Sequence, residues 1–368
     1  MSLEAVALQM TPKLGLKGAV HLLEVFGDAQ RIFTATADEL IHRAELRPEV
    51  AHEIVQRSGF AAAERELRHC ERNHIRILAS TDADYPALLR ETPDYPSVLY
   101  LQGDVAALNG HTLAMVGTRN ASPYGQEQCR RLIGDLAERI PDLTIVSGLA
   151  YGIDVAAHRA ALEFGVKTVA VVANALPGVT PAPHNQVARE ILNNGGAIVT
   201  EIHSQAKQKG EFYLARNRII AALSVGTIVV ESPAGGGSLN TAAHADSYHR
   251  TVMAMPGRAT DRNALGTNHL IRTRKAQLIT SADDIIEELL WDFGENPASF
   301  REKPATEQLT ADEAGLLGCF RTTDPYTIEQ LHAVTGLSSG ELTVLLIGLE
   351  LAGKIRLLPG NQYMKLCD

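Results

Sequence analysis

Between residues 111 and about 290 the apolar positions come in short unbroken runs and do not alternate with polar ones. The runs are Thr112–Val116, Leu143–Val146, Thr168–Val172, Ala197–Thr200, Thr227–Glu231, Val252–Met255 and Gln277–Thr280. Four or five aliphatic or β-branched residues in a row mark strands buried on both faces. The segments between them have helical spacing. The clearest places Ile153, Ala156, Ala157, Ala160, Ala161 and Phe164 on one helix face. Strands alternating with helices predict an α/β fold, an extended Rossmann-like doubly wound parallel sheet, with ligands bound beyond the carboxyl ends of the strands.

The flanks follow other patterns. Residues 1–70 have helical spacing and no convincing strand. Within them Leu14-Gly15-Leu16-Lys17-Gly18 leads into Leu22-Leu23 and Phe26-Gly27. A Gly-x-x-Gly turn between short helices resembles a helix-hairpin-helix unit, whose amides can face a phosphate. A plain helical cap closed by two glycines accounts for the same residues. From Ile75 to Gly103, apolar runs broken by Pro86, Pro93 and Pro96 predict a strand-rich extension of the next domain, which spans 71–290. Residues 291–308 are acidic, carry Pro297 and Pro304, and are expected to form a linker. In 309–368, helical stretches near Ala311–Phe320, Ile328–Thr335 and Ser338–Leu351 precede Lys354-Ile355-Arg356-Leu357. Three helices closed by a short strand pair give a winged-helix pattern.

Composition sharpens this outline. With 368 residues, 45% apolar and 21% charged, the chain can bury two or three domain cores. It has no apolar run long enough to span a membrane and no basic-then-apolar start, so a cytoplasmic location is expected. Cys70, Cys129, Cys319 and Cys367 lie far apart, which suggests reduced structural thiols and no zinc. The net charge of −9 looks wrong for a nucleic-acid binder until it is located. Ser281 to Glu313 holds ten acidic and two basic residues, whereas His249 to Lys275 holds six basic and one acidic. Global charge therefore does not exclude a basic face.

Four loops carry candidate chemistry. The first strand runs into Gly117-Thr118-Arg119 and Ser122-Pro123-Tyr124-Gly125. Gly117 lets backbone approach a ligand, and Arg119 offers a fork of donors suited to phosphate or to a loop carbonyl. The second strand ends in Ser147-Gly148, with Gly152 and Asp154 opening the next helix, a pattern that suits an anion nest. A carboxylate would repel phosphate, so Asp154 is expected to cap the helix or orient an arginine. His158, one turn further on, is expected to be structural. A third cluster holds Lys207, Lys209, Phe212, Tyr213, Arg216, Asn217 and Arg218. Positions i and i+2 on a helix lie about 200° apart, so the two arginines cannot share one target. Asn217 could tie neighbouring loops together. The fourth loop, Pro233-Ala234-Gly235-Gly236-Gly237-Ser238, sets three glycines between a strand and a helix and is the strongest phosphate-cradle signal in the chain. The chain has no P-loop and no G-x-G-x-x-G at the first turn, and no nucleophile has an evident activating base, so a cofactor-free binding protein is expected.

Taken in order, these blocks resemble the DprA (Smf) family of DNA-processing proteins. The resemblance rests on Val116–Arg119 with Ser122–Gly125, the run from Ser147 to Asp154 with Ala157-His158, Arg216–Ile220, Gly237-Ser238-Leu239 with Thr241-Ala242, Pro256-Gly257, and Gly266 with Asn268. It implies a sterile-alpha-motif-like helical domain before the Rossmann-like core and, in many members, a winged helix after it. It also implies single-stranded DNA binding, a homodimer, and delivery of DNA to the RecA recombinase in natural transformation. DNA contacts carry over to Arg119 and the Arg216–Arg218 block, together with a preceding lysine, Lys209 or Lys207. The chain departs from the family pattern at Asn240, Tyr213 and Ala182. An alternative is a related Rossmann-like family that hydrolyses nucleotide monophosphates. Its Pro-Gly-Gly-x-Gly-Thr loop is only partly matched here, and Ala242–Ala245 stands where its catalytic glutamate would be.

Overall fold

The structure is a computed structural model that describes residues 3–291, 310–320, 325–358 and 362–366. It divides into two compact units, Met1–Phe293 and Gly294–Asp368. The expected linker falls almost entirely outside the described residues, as does Cys367.

The first unit is built on a nine-stranded sheet: β1 (Arg76–Ala79), β2 (Val98–Gly103), β3 (His111–Val116), β4 (Leu143–Ser147), β5 (Lys167–Val171), β6 (Ala197–Thr200), β7 (Gly226–Val229), β8 (Thr251–Ala254) and β9 (Gln277–Leu278). Their spatial order is β1-β2-β6-β5-β4-β3-β7-β8-β9. From β6 to β9 all neighbours are parallel, while β1 and β2 extend the sheet antiparallel beyond β6. All seven runs contain strands, but the last is not buried: β9 is two residues long at the sheet edge and both are exposed; the two extra strands lie in the expected proline-broken extension.

Strand succession moves outward from β3 through β4, β5 and β6, then returns to the other side of β3 with β7. The chain therefore leaves β3 and β7 in opposite directions, which opens a crevice at their carboxyl ends. Apolar residues on the two sheet faces feed separate cores. Met115, Ile145 and Ile228 pack on one face, and Ala114, Val146 and Val229 on the other.

Helices occupy residues 3–72 up to β1, ending with Phe60–Arg72. They do not hold a core of their own: Val6, Leu22 and Ile32 share one apolar cluster with Ile77, Tyr100, Val172 and Ile198 of the sheet region. The Gly15/Gly18 pair is not a turn between helices. Both glycines lie in the first turn of the helix Gly15–Phe26, where Gly18 packs on the Leu14 side chain.

The second unit has helices Ala311–Cys319, Ile328–Thr335 and Ser339–Leu351, and a sheet ordered β10 (Tyr326–Thr327), β12 (Gln362–Lys365), β11 (Ile355–Leu358). Each helix opens with a reciprocal cap: Thr310 with Glu313, Thr327 with Gln330, and Ser338 with Glu341. Leu316, Leu331, Leu342, Leu346 and Ile355 form its core. Among the described residues no single helix is long and apolar enough to cross a membrane.

Candidate nucleic-acid interface

A cavity of about 310 Å³ opens at the carboxyl ends of β3 and β7, where the topology puts the crevice. Its walls come from three loops and one helix. The β3 loop contributes Gly117, Thr118 and Arg119; the β7 loop contributes Pro233, Gly236, Gly237 and Ser238; the helix Glu211–Ala222 contributes Tyr213, Arg216 and Asn217. Four runs far apart in sequence thus supply one site, with Ala150 and Asp154 from the loop and helix after β4 closing it.

The β3 loop is fixed from beneath. Glu231, buried at the end of the β7 run, accepts from the Ser122 amide (2.9 Å) and from its hydroxyl (2.5 Å). The Ser122 hydroxyl in turn accepts from the Gly125 amide at 3.0 Å and caps the helix Pro123–Ala137. The backbone carbonyl of Glu231 takes the Thr118 amide at 2.7 Å. A methyl group at Gly125 would strike the Glu231 carboxylate, so this position has to be glycine.

Arg216 is the charge in the floor. Only 5% exposed, it donates through Nη1 to the Gly148 carbonyl (2.5 Å) and to the Val171 carbonyl. Its Nε is buried and has no hydrogen-bond partner. Arg216 also lines the cavity, so its charge raises the potential of that space. Gly148 makes room for this seat, since a Cβ there would collide with the guanidinium and with Asp154. Burial pushes the Asp154 carboxyl upward; the charge of Arg216 and the amides of Ala150 and Gly148 pull it back down. Asp154 is held by the Ala150 and Gly148 amides within electrostatic reach of Arg216 and Arg119.

Arg119 is exposed on the rim, its guanidinium 5.8 Å from the Tyr213 ring centre. Asn217 Nδ2 reaches the Gly237 carbonyl (3.3 Å) and Asn240 Oδ1 (3.4 Å), tying the arginine helix to the glycine loop. Asn240, unusual for the resembled family, is therefore part of that tie. Gly237 has open space where a side chain would go, as a ligand cradle requires. The helices Ile153–Glu163 and Ser238–Ser247 begin at the cavity, which Asp154 and Ser238 line, and add positive dipole ends. Two arginines against one aspartate leave the site net positive.

The structure brings together Gly117, Arg119, Arg216, Asn217, Gly236, Gly237 and Ser238. Other expected residues stand elsewhere. Ser147 is fully buried, and its hydroxyl ties β4 to the Met115 carbonyl at 2.7 Å. Gly148 and Gly152 shape the floor without lining it. Gly152 (φ 77°) opens a helix where a Cβ would strike the Thr118 carbonyl. Arg218 points away from the cavity, buried against Glu201 (2.5 Å) and Asp94 (3.8 Å). Its charge is met by the fold's own carboxylates. Lys209 is exposed beside the site and pairs with Glu211 at 3.2 Å, while Lys207 is exposed. His158 is structural, its Nδ1 2.7 Å from the Thr168 hydroxyl, and burial presses its pKa down to about 3. Cys70 and Cys129 are buried and unbridged, and burial raises both thiols.

Two roles escaped the sequence. Glu231 looked like a strand's last residue, and only its position before a Ser-Pro loop hinted at a cap. Nothing local connects Arg218 with residues 94 and 201.

Fold and cavity together define a Rossmann-like protein with an anion cradle at its switch point. The chain belongs to the DNA recombination-mediator protein A family, whose model matches residues 76–290. A second model, the DprA winged helix domain, matches residues 300–361. Protein Smf of Escherichia coli is 35% identical over 300 residues, covering 80% of this chain and 78% of that one. The X-ray structure of DNA processing protein A from Streptococcus pneumoniae superposes with a TM-score of 0.69 at 30% identity, covering 78% of this chain and 98% of that one. The Helicobacter pylori protein, whose structure is described as showing a single-stranded DNA binding mode, gives 0.53 at 29% identity, covering 60% and 97%.

Proposed function

We propose that this chain binds single-stranded DNA by its phosphates in the cavity at the ends of β3 and β7. The observation that carries this reading is Arg216, a buried cation that lines the cavity with no carboxylate within salt-bridge distance among the described residues. Arg119, the amides of the glycine loop and two helix starts supply further donors for a phosphodiester. Tyr213 and the half-exposed Tyr151 give faces on which bases can stack without base preference. Lys209 or Lys207 extends the track outside the cavity. Delivery of the bound strand to RecA in natural transformation, and a homodimeric state, follow from family membership and belong to the same proposal. Binding is favoured over nucleotide hydrolysis because Ala242–Ala245 stands where the hydrolase family places its catalytic glutamate.

The test is fluorescence anisotropy with a labelled single-stranded oligonucleotide, compared with duplex and with mononucleotides. Single strand should bind tighter than duplex, and affinity should fall steeply with salt as counterions are released. Salt-independent binding, or turnover of mononucleotides, would defeat the proposal.

A further inference from the structure

Glu66 lies outside the cavity, on the helix Phe60–Arg72, and is 1% exposed. Among the described residues no lysine or arginine pairs with it, and a buried carboxylate without a cation is expensive. Apart from the Cys70 thiol (4.0 Å) on its own helix, its acceptors go to one loop. They take the Ser204 amide (2.8 Å), the Ser204 hydroxyl (2.5 Å) and the Gln205 side-chain amide (3.3 Å). Gln205 also donates to the Ala62 carbonyl at 2.9 Å and accepts from Arg65 at 3.2 Å. A second tie holds the start of the loop, where Gln9 donates to the Glu201 carbonyl (3.0 Å) and accepts from the Tyr100 hydroxyl (2.7 Å). Further along, Gln208 is pinned to the Ala173 carbonyl at 3.0 Å. Lys207 and Lys209 project from this stretch just before the helix that carries Arg216.

The same device appears at Glu231, where a buried carboxylate grips one serine by its amide and its hydroxyl and so fixes the β3 loop. One clamp holds the arginine loop from inside the sheet. The other holds the lysine loop from the N-terminal helices.

We infer that Glu66 is a positioning residue for nucleic-acid binding: through Ser204 and Gln205, the N-terminal helices set the loop that presents Lys207 and Lys209 to the DNA backbone. This rests on the reading that the cavity face binds single-stranded DNA. Two charge-assisted bonds to one residue hold a loop far more firmly than packing would, and a preset loop gives up less freedom when it binds.

The experiment is a double-mutant cycle on the full chain: Glu66→Gln alone, Lys207→Ala/Lys209→Ala alone, and all three together, each titrated with the same labelled oligonucleotide across a salt series. Glu66→Gln should weaken binding about tenfold and lower the slope of log affinity against log salt by about one. In the lysine-free background the same substitution should change affinity by less than about twofold. Should Glu66→Gln fail to fold, Ser204→Ala removes one of the clamp's bonds from the loop side and should show the same dependence on the lysines. Equal losses in both backgrounds, or an unchanged affinity and salt slope, would overturn the inference while leaving the cavity reading intact. A wild-type chain that does not bind the oligonucleotide would end both.

Discussion

The cavity unit and the winged-helix unit place their charge and apolar surface in opposite ways. In the first, Arg216 is buried beneath the ligand space, Arg119 stands on its rim, and short glycine-rich loops bring backbone amides close. In the second, the helix Ser339–Leu351, where a major-groove reader would present basic residues, carries Glu341 and Glu350 and no lysine or arginine. Val344 and Ile347 are exposed on it, and a groove lined by Leu316, Cys319, Val334 and Leu337 is edged by Asp312 and Glu341. Basic residues appear on its wing, at Lys354 and Arg356. Nucleic-acid binding thus follows from where cations are held and what lies beneath them, and a fold often found on DNA does not supply it. We propose that the cavity unit holds the DNA and that the winged helix contacts protein or touches duplex DNA only weakly through Lys354 and Arg356.

The sharpest break in this picture would come from two arginines two residues apart. Arg218→Ala leaves Glu201 buried without its partner and should cost about 3–5 kcal/mol of stability in denaturant titration. The protein that remains folded should bind DNA within about twofold of wild type. A large affinity loss at full stability would put Arg218 back in the interface. Next in size, Arg119→Ala should lose about 1.5–3 kcal/mol of binding with no shift in the melting temperature, because the side chain is exposed. If melting falls and binding holds, Arg119 is a loop cap.

Acid should also destabilise the first unit. His158 is buried with a pKa near 3 against 6.5 unfolded. The native state resists the proton that the unfolded chain accepts. Its stability contribution is therefore full above pH 6.5 and is lost at about 1.4 kcal/mol per unit as pH falls toward 3. His158→Gln should flatten the acid profile of the first unit. The smallest effect is expected at the winged helix's exposed face. Val344→Ser or Ile347→Ser should change stability by less than about 0.5 kcal/mol and leave DNA affinity unchanged. An affinity loss there would move the DNA interface.

The sheet was legible because strands buried on both faces leave continuous apolar runs, and each of the seven runs contains a strand. The cavity was legible in part, because glycines at strand ends are demanded by close contacts, with Ile153 and the Glu231 carbonyl at Gly117 and with Arg216 and Asp154 at Gly148. Pairings across long sequence separations were not legible. Arg216 and Arg218 look alike in sequence, and only the placement of Glu201 and Asp94 decides which one faces the ligand. Glu66 and Glu231 are likewise ordinary glutamates until folding buries them against serines from distant loops. The independence expected of the N-terminal helices was misleading for a related reason. An amphipathic face shows that a helix packs, without showing that its partner is a sheet up to two hundred residues away.

The most direct measurement sets the two regions against each other on one probe. A labelled single-stranded oligonucleotide is titrated by anisotropy into the full chain, Arg119→Ala, and Lys354→Ala/Arg356→Ala, at two salt concentrations. If the cavity holds the strand, Arg119→Ala weakens binding at least about tenfold with a shallower salt slope, and the wing variant stays within about twofold of wild type. The reverse ranking, with the wing variant crippled and Arg119→Ala unaffected, would contradict the account.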